Sequence, residues 1–192
     1  MIQEVDTFTK AFLEHAKNKP IRLISHFDTD GITSAAIIIK TLQRLDKKLT
    51  VRIVKGLDEN ILMEELKRQP QEILLFTDLA SGSLEYFTNL SEPIYIIDHH
   101  EIHADGLNEN INIINPHLTE DPDGNTATGA GLCYLFSKTI SEDNKDLAKL
   151  AIIGLIGDRH EVKPTNCARD KRLNHKKRVN PLPRNPPIKK SS

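Results

Sequence analysis

Residues 21–31 read IRLISHFDTDG, an apolar run that breaks into an acidic turn. Ile21 to His26 is a short, nearly continuous apolar run, the pattern of a strand buried on both faces. Phe27 to Gly31 ends it with two aspartates and a glycine, and Gly31 lets the backbone turn tightly. From Ile32 to Leu45 the apolar residues recur at helical spacing. A strand that passes through an acidic turn into a helix is the opening of a strand-helix-strand unit.

Four more β-rich runs follow: Thr50 to Val54, Glu72 to Asp78, Pro93 to Asp98 and Ile111 to Asn115. Helical spacing separates most of them, over Asn60 to Arg68 and Ser83 to Leu90, the latter with Ser81 available as its cap. Asp121 to Asn125 (DPDGN) reads as a turn. Beyond it, Ala127 to Ile140 and Asp143 to Ile156 read as two helices, the second capped by Ser141 or Asp143. Alternating strands and helices imply an α/β fold, with a parallel five-stranded sheet and helices on both faces.

Composition narrows the class. A hydrophobic fraction of 38% and a charged fraction of 28% suit a globular chain. No apolar run approaches the roughly 18 to 20 residues of a membrane span, and the N-terminus lacks a signal-peptide layout, so the expected location is cytoplasmic. Cys133 and Cys167 have no CxxC partner and read as reduced thiols. The net charge of -1 is unevenly spread. Residues 163–192 hold ten Lys/Arg against Asp170 alone, together with five of the ten prolines. Residues 1–162 therefore form the expected domain and 163–192 a basic, Pro-rich tail expected to be disordered. That tail is either a solvated end or an arm that meets phosphate backbones.

Acidic and histidine clusters sit where apolar runs end: His26, Asp28 and Asp30; Asp78; Asp98, His99 and His100; and Asp158 after Gly157. Each has a plain structural reading. The first can be a capped turn, Asp78 a turn residue, and the histidine pair a polar loop. Parallel sheets, however, hold ligands at the carboxyl ends of their strands. Carboxylates gathered there repel one another unless cations neutralise them. Mixed imidazole and carboxylate donors suit Mn²⁺, and also admit Mg²⁺, Co²⁺ or Zn²⁺. Two such ions about 3.5 to 4 Å apart, sharing a carboxylate, serve in-line attack at phosphorus.

Taken in order, His26-Phe27-Asp28-Thr29-Asp30-Gly31, Asp78, Asp98-His99-His100 and Gly157-Asp158 resemble the four signature motifs of the DHH phosphoesterase superfamily. Asn115-Pro116-His117 and the Thr128-Gly129-Ala130-Gly131 helix opening are also similar. The resemblance implies a Rossmann-like domain with two divalent ions, most naturally Mn²⁺. It would place His26, Asp28 and Asp78 on one ion, and Asp30, Asp78, His99 and Asp158 on the other, Asp78 bridging. His100 would face the substrate phosphate, Asp98 would orient the histidine pair, and His117 would be a further phosphate contact.

His26 stands two residues before Asp28, whereas the pyrophosphatase and oligoribonuclease branches place that histidine four before. The HxDxDG form is similar to archaeal RecJ-like proteins, which implies a phosphodiesterase acting on single-stranded DNA or RNA ends, with replication or repair proteins as partners. Two alternatives stay open. One is a small-substrate phosphoesterase for oligoribonucleotides, phosphoadenosine phosphate or cyclic dinucleotides. The other is a catalytically impaired nucleic-acid-binding or replisome scaffold module, resembling the Cdc45-like relatives. Family members also carry a smaller second domain marked by a Gly-Gly-His-like motif. No such motif follows Asp158 here, so the chain is expected to be a catalytic half.

Overall fold

A computed structural model describes residues 2–87, 90, 92–103, 107–119 and 127–158. Five parallel strands form one sheet: β1 (Ile21–His26), β2 (Leu49–Val54), β3 (Ile73–Thr77), β4 (Ile94–Ile97) and β5 (Ile111–Ile114), in the order β2-β1-β3-β4-β5. The helices are α1 (Ile2–His15), α2 (Thr29–Arg44), α3 (Glu59–Leu66), α4 (Gly129–Ile140) and α5 (Ala148–Gly157). The α/β architecture expected from the alternating pattern is the one observed.

Given the sheet order, the chirality of the crossovers fixes where the helices lie. From β1 the chain moves outward through α2 to β2, then returns through α3 to β3 on the other side of β1. Right-handed crossovers in opposite directions put their helices on opposite faces. Two separate cores result. Ile21, Leu23, Leu75 and Ile97 pack with α1, α2 and α4, while Ile24, Leu74, Phe76 and Ile96 pack with Leu62 of α3 and Leu84. In the first core Phe8, Phe12, Tyr95 and Phe136 meet edge to face, with centroids 5.1 to 5.6 Å apart.

Several expected elements differ from those observed. β2 is an edge strand, with Val51 and Ile53 exposed rather than buried on both faces. In place of the expected Ser83 to Leu90 helix, a 3₁₀ segment runs over Ser81–Tyr86; Ser81 is its first residue rather than a side-chain cap, and its N donates to Asp98. The Asp143 to Ile156 helix splits into a 3₁₀ stretch, Glu142–Leu147, and α5; Ser141 caps the former by accepting from Asp143 N. α2 opens at Thr29 rather than Ile32, since Asp28 is its cap. α1 was not expected, although Val5, Phe8 and Phe12 carry its buried face. The DPDGN turn and the basic tail lie outside the described residues, as does the boundary at 162. No described helix is long and apolar enough to cross a membrane.

Candidate metal centre

β1 and β3 are neighbours from which the connections leave in opposite directions, so their carboxyl ends border the topological switch point, where open α/β sheets bind ligands. At the end of β1, Asp28 Oδ1 accepts from Gly31 N at 2.9 Å and starts α2. The turn is so close that a Cβ on Gly31 would collide with the His26 backbone. Asp30 is consequently carried inward in the first turn of α2, 1% exposed. At the end of β3, Asp78 adopts a left-handed backbone (φ 57) and Ala80 another (φ 91), which turns the Asp78 side chain out of the strand line. Such conformations cost energy and are held by their surroundings. Here Asp78 N donates to Ile97 O at 2.9 Å.

Ligand-type atoms of His26, Asp28 and Asp78 lie within 4.8 Å of one another, as do those of Asp30, His99 and Asp158, and those of Asp78, Asp98, His99 and His100. Asp78 is close to both of the first two sets, reaching the second through His99. His26 Nδ1 is 2.9 Å from Asp28 Oδ2 and 3.7 Å from Asp78 Oδ2. His99 Nε2 is 3.3 Å from Asp78 Oδ1, and 3.7 Å from both Asp30 Oδ2 and Asp158 Oδ2. The two Asp78 oxygens thus point to different sets.

Electrostatics and hydrogen bonding are consistent with a cation site. Both Asp78 oxygens and His26 Nδ1 are buried without a hydrogen bond. Burial first, then the charges of Asp30, Asp28 and Asp98, push the Asp78 carboxyl up to about 10. A divalent ion would remove both penalties.

Asp30 has a second duty that its motif does not disclose. Its Oδ2 accepts from Gly129 N at 2.7 Å and its Oδ1 from Ala130 N at 2.9 Å, seating the carboxylate on the N-terminus of α4. The absence of an acidic residue in the first turn of α4 was the available signal. α5 approaches the same point: a Cβ on Gly154 would lie 2.5 Å from both Asp30 Oδ1 and Ala130 Cβ. Asp158, the C-cap of α5, is thereby brought to His99.

Asp98 is fully buried and occupied by protein donors. Its Oδ2 accepts from Ser81 N, and its Oδ1 from His99 N, His100 N and His100 Nδ1 (2.7 Å). Burial alone would raise its pKa, but these donors outweigh it and hold the group at about 2. The hydrogen bond from His100 in turn pushes that imidazole up to about 9, so it carries a proton at neutral pH. With Nδ1 committed to Asp98, Nε2 is the nitrogen left to a ligand.

Asn115, which the sequence marks only as part of the Asn115-Pro116-His117 motif, clasps two loops of the site. Its amide donates to Ser81 Oγ (2.8 Å) and His100 O (2.9 Å), and its Oδ1 accepts from His117 N. Nothing short of tertiary contacts identifies that role. His117 itself is exposed and belongs to neither donor set.

Residues 20–155 match the DHH family, N-terminal domain, and the chain belongs to that family. An uncharacterised protein of Methanocaldococcus jannaschii is 34% identical over 164 residues, 82% of this chain and 37% of that one. A Bacillus subtilis protein provisionally named a prophage-derived single-strand DNA-specific exonuclease is 28% identical over 168 residues, 82% of this chain and 29% of its own. The crystal structure of exonuclease RecJ bound to manganese superposes with a TM-score of 0.66 and 25% identity, over 81% of this chain and 43% of that one. The chain therefore spans less than half the length of each relative.

Proposed function

We propose that this domain is a two-metal phosphodiesterase of the RecJ-like type, hydrolysing the ends of single-stranded DNA or RNA with Mn²⁺, or Mg²⁺ in its place. The observation that carries the reading is Asp78, whose buried oxygens accept no hydrogen bond and face two donor sets. His26, Asp28 and Asp78 would hold one ion, and Asp30, Asp78, His99 and Asp158 the other. When bound, such ions neutralise phosphate charge and make a water nucleophilic near neutral pH. The manganese in the RecJ structure and the name of the Bacillus subtilis relative support the metal and the substrate class.

The chain's own residues supply positioning and protons. Asp98 fixes the His100 ring through Nδ1 and keeps it protonated. His100 Nε2–H then donates to a phosphoryl oxygen, or delivers its proton to the leaving oxygen. Asn115 keeps the His100 loop against the Ser81 turn. Purified protein with Mn²⁺ should release nucleotides from an end-labelled single strand, and Asp78→Ala should abolish the release. Hydrolysis that survives in this variant would overturn the assignment.

A further inference from the structure

The first turn of α4 packs onto the metal centre without belonging to either donor set. Gly129 N donates to Asp30 Oδ2 at 2.7 Å and Ala130 N to Asp30 Oδ1 at 2.9 Å, while Gly131 N donates to the capping Thr128 Oγ1 at 3.1 Å. All three amides are thus committed within the protein. Gly129 also lies against Asp78: a Cβ built on it would stand 2.7 Å from Asp78 Oδ1 and 2.8 Å from Asp78 Cβ. No described glycine has a positive φ, so the position calls for the missing side chain and not for unusual backbone freedom.

Turning the Asp78 carboxylate aside would clear the oxygen but not Cβ, which is fixed to a backbone whose N donates to Ile97 O. Carbon atoms in favourable contact lie ~3.5 to 4.0 Å apart, so a methyl at this position forces α4 and the end of β3 apart by roughly 0.7 Å. If α4 gives way, its bonds to Asp30 lengthen toward about 3.4 and 3.6 Å, outside the range of a hydrogen bond. If the end of β3 gives way, Asp78 shifts against His26 and His99. Either movement changes the spacing of Asp30 and Asp78.

We propose that Gly129 is a positioning residue for the metal centre: it lets α4 hold Asp30 while lying directly on Asp78, which fixes the separation of the two carboxylates and couples the two ion positions. The proposal rests on the two-metal reading above and adds to it a residue outside the ligand set. Groups that orient metal ligands from behind typically change metal affinity by about 10- to 100-fold.

Mn²⁺ is titrated calorimetrically into the metal-stripped full chain, and the loaded protein is followed by electron paramagnetic resonance, where ions sharing a carboxylate give an exchange-coupled spectrum and separate ions do not. Gly129→Ala should weaken Mn²⁺ binding at least about tenfold and abolish the coupled spectrum. Gly131→Ala is the matched control in the same turn, since a Cβ there meets only Thr128 Oγ1, at 3.5 Å. It should keep the coupled spectrum and an affinity within about twofold. Thr128→Ala, which frees the turn from its cap, should weaken binding about fivefold, and Thr128→Ser should restore it. Should melting in EDTA show that Gly129→Ala does not fold, the Thr128 pair decides. A folded Gly129→Ala that keeps affinity and coupling, or loses them no more than Gly131→Ala, would overturn the proposal, as would a deciding Thr128→Ala that binds like the unaltered chain. An unaltered chain without a coupled two-ion spectrum would overturn the two-metal reading and this one with it.

Discussion

Replacing Asp78 with Asn should make the metal-free protein more stable while removing its response to Mn²⁺. Asp78 is 1% exposed, and burial together with Asp30, Asp28 and Asp98 pushes it up to about 10. In an unfolded chain an aspartate titrates near ~3.9. A carboxyl raised on folding contributes stability that is complete below that unfolded value and is lost as pH climbs toward the folded one. By pH 7 the loss amounts to about 4 kcal/mol. Asn keeps the shape and discards the charge, but a buried amide without partners costs about 1 to 3 kcal/mol. The net gain is about 2 kcal/mol, or roughly 4 to 8 °C in Tm for a domain of this size. Thermal unfolding followed by circular dichroism, in EDTA and in Mn²⁺, measures it. Mn²⁺ should raise the Tm of the unaltered chain and leave that of Asp78→Asn in place. In EDTA the gap between the two proteins should widen as pH rises. An Asn variant that melts below the unaltered chain in EDTA at pH 7 would show that the Asp78 carboxyl does not carry this charge penalty.

Two further substitutions test the packing around this site and away from it. Gly154→Ala would place a methyl 2.5 Å from Asp30 Oδ1 and Ala130 Cβ, so urea unfolding should show a loss of about 1 to 3 kcal/mol, with Mn²⁺ binding weakened as Asp30 is displaced. Glu65 is fully buried against Arg22, Arg52 and Arg68, so Glu65→Gln should cost about 3 to 5 kcal/mol by chemical denaturation. Burial opposes the charged form of Glu65, but the arginines outweigh it and lower its pKa. Its stabilisation is therefore present above the ordinary glutamate value and disappears as pH falls through the lowered one. The variant should lose less stability than the parent on acidification over that window.

The sheet was legible because each strand is a compact apolar run ended by polar residues, and the observed ends fall within a residue of those expected. The exposure of Val51 and Ile53 is hidden in the sequence because an edge strand has the composition of a central one, and only the sheet order reveals it. α1, absent from the expected elements, carries Val5, Phe8 and Phe12 at helical spacing, a signal the sequence does contain. In the site, the motif residues could be gathered from position alone, since strand and helix ends converge in this topology. What Asp30 and Asn115 hold could not. Their partners lie on α4, on the Ser81 turn and in the His100 loop, and sequence spacing says nothing about contacts across such separations. The backbone at Asp78 was equally hidden, because a positive φ at a non-glycine residue is imposed by the surrounding fold.

If one buried carboxylate joins two ion sites, calorimetric titration of Mn²⁺ into the metal-stripped chain, with the bound metal counted independently by elemental analysis, should show saturable binding of two ions per chain. Asp78→Ala should lose both ions and Asp28→Ala predominantly one. Saturation at a single ion, or an Asp78→Ala variant that still binds two, would contradict the shared carboxylate.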